Sequence, residues 1–121
     1  MKMLICDGDS MSLRALEYQF KKDEFKIIKA LNGSEAQKIL KENNDIDVLI
    51  TDIHIPLING LELITFVRKD LNRVIPIIIV SKVNVEDTIL HAFELGANDY
   101  LTKPFNLEEL SKKVKYLLKN E

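Results

Sequence analysis

A three-layer α/β fold, its parallel five-stranded sheet covered by helices on both faces, is what this sequence predicts, and three observations carry the prediction. Short β-rich apolar runs alternate with stretches whose apolar residues recur at helical spacing. The first, third and fourth of those runs are nearly continuously apolar, as expected of strands buried on both faces. At 121 residues the chain is long enough to bury a core without disulfide or metal staples and too short for two ordinary domains, so residues 1–121 read as one domain.

The first strand spans Met3 to Cys6, and the helix after it carries Leu13, Leu16 and Phe20 on one face, with Asp9 as the cap of a helix beginning near Ser10. Phe25 to Lys29 forms the second strand. Its helix is marked by Ala36, Ile39 and Leu40, and Ser34 with Gln37 has capping spacing. Asp47 to Thr51 is the third strand, followed by a helix through Leu63, Ile64 and Val67. The fourth strand, Ile75 to Val80, leads to a helix through Val85, Ile89, Ala92 and Phe93, which Gly96 stops. A brief fifth strand, Asp99 to Leu101, precedes the last helix, with Asn106 and Glu109 at capping spacing and Leu107, Leu110, Val114, Leu117 and Leu118 facing inward.

Composition narrows the function classes. Hydrophobic residues make up 46% and charged residues 30%, the balance of a chain that folds rather than stays disordered. With 17 Lys and Arg against 19 Asp and Glu, the formal charge of -2 supplies no field for direct nucleic-acid or anionic-lipid binding. The most apolar run, Val74 to Val80, is too short to span a bilayer, and the single Cys6 has no disulfide partner, so a cytoplasmic protein without a membrane segment is expected. Cys6, inside the first strand, reads as a small buried hydrophobe, and His54 and His91 lack companions at ligand spacing. No repeat or low-complexity tract is present, and a linker to a fused output domain in a longer parent could begin at Lys119, Asn120 and Glu121.

In an open doubly wound sheet, ligands bind beyond the carboxyl ends of the strands, where strand order reverses. There the sequence places Asp7, Gly8 and Asp9 after strand 1, Thr51 and Asp52 at the end of strand 3, Ser81 and Lys82 after strand 4, and Thr102, Lys103 and Pro104 after strand 5. An acid directly after Val48, Leu49 and Ile50 is costly at a buried strand end unless a cation or hydrogen bonds satisfy it. Position alone leaves Asp52 open as a functional acid or a loop-capping carboxylate. Taken singly, Ser81 reads first as a loop cap, Tyr100 as half-buried packing and Lys103 as a solvated charge.

Together these residues resemble the receiver domain of two-component response regulators: the acidic start after strand 1, Asp52 followed by Pro56 and Gly60, Ser81 after Ile77 to Val80, and the run from Gly96 through Asp99, Tyr100 and Lys103 to Phe105. The resemblance covers the whole chain and implies a flavodoxin-like (βα)5 fold with strand order 2-1-3-4-5. It implies that Asp52 accepts a phosphoryl group from a sensor histidine kinase or phosphotransfer protein, with Lys103 supplying fixed positive charge. It also implies Mg²⁺ held by Asp7, Asp52 and the backbone carbonyl of His54, oxygen donors that suit a hard cation keeping some of its waters. Ser81 and Tyr100 match the hydroxyl and aromatic of the family's switch, which remodels the surface of helix 4, strand 5 and helix 5. On that surface Glu86, Asp87, Glu94, Asp99, Lys112, Lys113 and Lys115 offer opposite signs for a symmetric homodimer.

Two positions depart from the family pattern. Receivers usually carry a second acid where Gly8 stands, so Mg²⁺ binding is expected to be weakened, with Asp9 as a substitute ligand or simply the helix cap. Lys82 follows the switch hydroxyl, where a small residue is usual, and would either crowd the site or supply charge that the weakened metal site lacks. These departures keep a second reading open, a phosphorylation-independent receiver acting as a protein-binding module. Asp7-Gly8-Asp9-Ser10 is also similar to the opening motif of haloacid-dehalogenase phosphatases, with Asp7 as nucleophile and Asp9 as acid. That family usually has Thr or Val in place of Ser10 and inserts a turn and hairpin after strand 1. A flavodoxin-like flavin carrier would need a Ser/Thr/Gly-rich phosphate cradle that the first loop lacks.

Overall fold

Along β1 (Lys2–Cys6) the side chains alternate between two cores, Met3 and Ile5 facing one and Leu4 and Cys6 the other, which is why an uninterrupted apolar run is needed here. The computed structural model describes residues 1–120. It continues through α1 (Ser10–Lys22), β2 (Lys26–Ala30), α2 (Gly33–Glu42), β3 (Ile46–Thr51), α3 (Gly60–Thr65), β4 (Ile77–Ser81), α4 (Glu86–Leu95), β5 (Asp99–Thr102) and α5 (Leu107–Lys119). The strands pair in parallel in the order β2-β1-β3-β4-β5, as expected. Glu121 lies outside the described residues.

One core packs Leu4, Leu49, Ile77 and Ile79 against Ala36 and Leu40 of α2, Leu63 and Ile64 of α3 and Ala92 of α4. The other packs Met3, Ile5, Val48, Ile50, Ile78 and Val80 against Leu13, Leu16 and Phe20 of α1 and Leu110 and Val114 of α5. Each fully buried Leu or Ile contributes roughly 1.5–3 kcal/mol. Among the described residues no helix is long and apolar enough to cross a membrane.

Several element ends differ from the sequence expectation for local reasons. The fourth strand begins at Ile77, not Ile75, because Pro76 has no N–H to give the ladder, although its carbonyl still accepts from Leu49 N at 3.0 Å. The second begins at Lys26, since Phe25 turns its amide back to Phe20 O and stacks edge-on against that ring. The α2 cap is Asn32 rather than Ser34, with Asn32 Oδ1 accepting from Glu35 N at 2.7 Å. A reciprocal capping box forms instead between Asn59 and Glu62 at the start of α3. Asp9, Asn106 and Gly96 cap as expected, Gly96 adopting φ 124°.

After Thr65, α3 widens into a π-helical turn, Phe66–Asp70, from which Arg68 reaches out. Its guanidinium donates to Gly96 O, Arg73 O, Ile75 O and Asn98 Oδ1, tying the start of β4 to the turn before β5. On the opposite side of the sheet the Ser111 hydroxyl of α5 donates to Asp23 at the end of α1 at 2.6 Å.

Gly60 opens α3 directly against the backbone that carries Asp52. A Cβ there would sit 2.3 Å from Asp52 O and 2.8 Å from Ile53 Cα, and neither is a flexible side-chain end that could yield. Gly60→Ala should therefore lower unfolding stability by about 2–4 kcal/mol in urea titrations, the range of severe core strain. A loss below about 0.5 kcal/mol would mean that α3 can slide away from β3 without penalty.

Candidate functional site

The parallel register aligns Cys6 with Thr51 and Ser81 with Thr102, so the residues that follow these strand ends emerge side by side. Asp7 directly follows the apolar end of β1 and Asp52 follows Thr51 at the end of β3, and both acids are buried, at 1% and 8% exposure. Strand order reverses between them, since β1 has β2 on one side and β3 on the other. The backbone completes the alignment, with Asp52 N donating to Cys6 O at 3.1 Å and Asp7 N to Ala30 O at 3.1 Å.

Lys103, just past β5, makes the acids tolerable. Its Nζ donates to Asp7 Oδ2 at 2.8 Å and to Asp52 Oδ2 at 2.9 Å, and its own amide donates to Ser81 O at 2.8 Å. Burial pulls its ammonium pKa down, but the bonds to Asp7 and Asp52 outweigh burial and the net direction is up, so Lys103 stays charged. The remaining oxygens are also held: Asp7 Oδ1 accepts from Asp9 N at 2.9 Å and Asp52 Oδ1 from His54 N at 3.1 Å. Two carboxylates sharing one ammonium leave the cluster net negative, and its donors are all oxygen, which suits a hard cation.

The other expected residues divide. Asp9 reaches Asp7 only through its backbone amide, and its carboxylate belongs to α1, Oδ1 accepting from Met11 N at 3.0 Å and Oδ2 from Ser12 Oγ at 3.3 Å. The Met11 amide holds that carboxyl below its usual range. Gly8 could carry a Cβ in ordinary contact with its surroundings, meeting Pro56 Cδ at 3.4 Å, Leu31 O at 3.8 Å and His54 O at 4.0 Å. The His54 side chain is exposed, as is His91 on α4. Among the described residues no three His, Cys, Asp or Glu side chains cluster as a metal site.

Ser81 is fully buried and Tyr100 half-buried, and both hold one residue that sequence reading missed. Ser81 Oγ accepts from Val83 N at 3.2 Å, while the Tyr100 hydroxyl donates to Val83 O. Burial pushes the Tyr100 phenol pKa up, keeping it a donor. A backbone grip carries no side-chain signature, so no sequence signal could have pointed to Val83. Gly60, quoted in the sequence pattern, acts through its close approach to Asp52 O.

Cys6 is buried with Sγ against Asn32 O at 3.4 Å, and burial pushes its thiol up to about 12, so no thiolate nucleophile is available near neutral pH. Helix α1 starts at Ser10 directly after Asp9, without the hairpin that a haloacid-dehalogenase opening would insert. Lys82 is exposed and makes no ion pair among the described residues; it borders a groove of about 600 Å³ with Ala15, Lys103, Phe105 and Leu107.

Comparison with known proteins agrees with this fold. A family model described as response regulator receiver domain matches residues 3–115. The transcriptional regulatory protein PrrA of Mycobacterium tuberculosis is 34% identical over 118 residues, covering 98% of this chain and 50% of that protein. The transcriptional regulatory protein SrrA of Staphylococcus aureus is 33% identical, with 98% and 48% covered. The chain thus spans about half the length of the curated relatives it matches. A two-component response regulator from Clostridium difficile superposes with a TM-score of 0.92 at 32% identity, covering 98% of this chain and 96% of that one. The receiver domain of the Francisella response regulator 1452 gives 0.90 at 28%, with 98% and 97% covered.

Proposed function

This chain belongs to the response regulator receiver domain family, and from that premise we propose that Asp52 accepts a phosphoryl group from a phosphohistidine on a sensor histidine kinase or phosphotransfer protein in the cytoplasm. Receivers are signalling modules rather than typical enzymes. The observation that carries the reading is Lys103 Nζ held between Asp7 and Asp52 at the point of strand reversal.

Carboxylate attack on phosphorus requires the repulsion between anions to be suppressed by positive charge already in position. An Asp52 oxygen forms the new O–P bond while the donor's P–N bond breaks and its electron pair returns to the imidazole nitrogen. Lys103, bound to Asp52 Oδ2, stands beside the carboxylate where the transferred oxygens gather. His54 N holds Oδ1 in a fixed direction. Mg²⁺ held by Asp7, Asp52 and the His54 carbonyl would supply further positive charge to those oxygens. The net negative oxygen cluster around Asp7 and Asp52 fits such a cation.

The new phosphoryl oxygens would compete for the Ser81 hydroxyl and so loosen the grip on Val83, which Tyr100 shares. The element downstream is poorly anchored. Helix α4 has no side-chain N-cap and buries only Ala92, leaving Val85, Leu90 and Phe93 exposed. Because Lys113 pairs with Asp99 and Lys115 with Asp23 inside the chain, these charges are less free to pair between copies than the sequence suggests. The apolar face of α4 is the better basis for a dimer through α4, β5 and α5. In the relatives' longer chains an output domain would read that change.

Asp52→Asn should abolish the mass increase produced by a small phosphodonor, as read by intact-mass analysis. Persistent modification would overturn the assignment, and an unmodifiable wild type would favour the phosphorylation-independent binding module that Gly8 suggests.

Gly8→Asp has room for its Cβ and should tighten Mg²⁺ binding in calorimetric titration and speed modification of Asp52. A third carboxylate should lower the melting temperature without Mg²⁺ and restore it when Mg²⁺ binds the folded form. Equal Mg²⁺ affinity in wild type and variant would show that Gly8 is no defect.

Sedimentation at high concentration should show a dimer that Phe93→Glu weakens in the acceptor-modified protein. Monomer alone in both free and modified states would remove the dimer.

A further inference from the structure

Ser81 and Thr102 are register partners on adjacent parallel strands, so Lys82 and Lys103 are the next residues after neighbouring strand ends. The Lys103 amide bonds to Ser81 O at 2.8 Å and keeps the two strand ends together, and both lysines border the same groove. Their circumstances are opposite. Lys103 is divided between Asp7 and Asp52, its side chain 9% exposed, whereas Lys82 is exposed and has no carboxylate partner among the described residues.

The charge balance gives this difference a consequence. Asp7, Asp52 and Lys103 leave one net negative charge facing an incoming anion, and a Lys82 ammonium brought to the cluster would cancel it. Gly8 adds to the effect, since the acid that would strengthen cation binding is missing beside this cluster. Such a site is poorer in metal-holding carboxylates and richer in fixed positive charge. Because lysine binds phosphate as a mobile point charge on a flexible stem, Lys82 need not be preset over Asp52: it lines the groove that Lys103 also lines, and Lys103 Nζ is bonded to Asp52.

Resting on Asp52 as the acceptor, we propose that Lys82 is a second phosphoryl-binding cation of this site, replacing part of the charge a divalent cation would supply, so that transfer to Asp52 persists when Mg²⁺ is withheld. With phosphoramidate as donor, an Asp52 oxygen bonds to phosphorus, the P–N bond breaks and nitrogen leaves as ammonia with the proton it already carries. No further reactant is required.

The test is the rate of Asp52 modification by phosphoramidate, read by intact mass in Mg²⁺ and in EDTA, for wild type, Lys82→Met, Lys82→Arg and Asp52→Asn. Methionine keeps the side-chain length and removes the charge at an exposed position, and a thermal melt checks that it folds. The ratio of the Mg²⁺ rate to the metal-free rate should rise about tenfold or more in Lys82→Met and return toward wild type in Lys82→Arg, in keeping with loss of one electrostatic donor. Calorimetry should show Mg²⁺ binding roughly threefold to tenfold tighter in Lys82→Met, because a nearby repelling charge is gone. An unchanged ratio in Lys82→Met, or wild-type modification strictly confined to Mg²⁺, would make Lys82 an ordinary solvated charge and overturn the proposal while leaving Asp52 as acceptor. Modification of Asp52→Asn, or no modification of wild type in either condition, would overturn the acceptor assignment and the Lys82 role with it.

Discussion

One ammonium between two buried carboxylates is the constraint around which the carboxyl edge of this sheet is arranged. Unpaired, Asp7 and Asp52 would be buried like charges, and breaking such an ion cluster costs several kcal/mol, typically about 3–5. Lys103 satisfies both only because β1, β3 and β5 end at compatible heights. That alignment rests on features outside the ion cluster: the missing N–H of Pro76 that delays β4, the bare Cα of Gly60 that lets α3 meet Asp52 O, and Arg68 tying the start of β4 to the turn before β5.

The cluster is fixed, but the segment beside it is not. The hydrogen bonds that tie the β4–α4 segment to Ser81 and Tyr100 converge on Val83, gripped at its N–H by Ser81 and at its carbonyl by Tyr100. Two hydrogen bonds on one residue form a connection that a competing acceptor can undo, since each contributes only about 0.5–1.5 kcal/mol net. Beyond it lies α4, uncapped at its N-terminus and burying one residue, yet anchored at its other end, where Gly96 O accepts from Arg68. A helix held at one end and loosely packed along its length is built to reposition.

Much of this was legible in the sequence. The alternation of apolar runs and helical faces located every strand and helix, because burial on both faces of a parallel sheet demands continuous apolar strands and amphipathic coverings. Asp7, Asp52, Ser81 and Lys103 were legible as strand-end residues, and Asp9, Gly96 and Asn106 as caps, since capping depends on side chains within a few residues. The α2 cap was not legible, because Ser34 with Gln37 and Asn32 with Glu35 have the same spacing, and only the direction of the chain leaving β2 selects Asn32.

By itself, then, the sequence determined the elements, their order and the residue types gathered at the sheet edge, all set by local periodicity and by the cost of burying polar groups. The tertiary structure alone decided that one lysine serves both acids, that the Asp9 carboxylate belongs to α1 while only its amide reaches Asp7, and that Ser81 and Tyr100 converge on Val83. These depend on the register between strands distant in sequence and on backbone groups that every residue carries alike, and neither leaves a mark in the order of side chains.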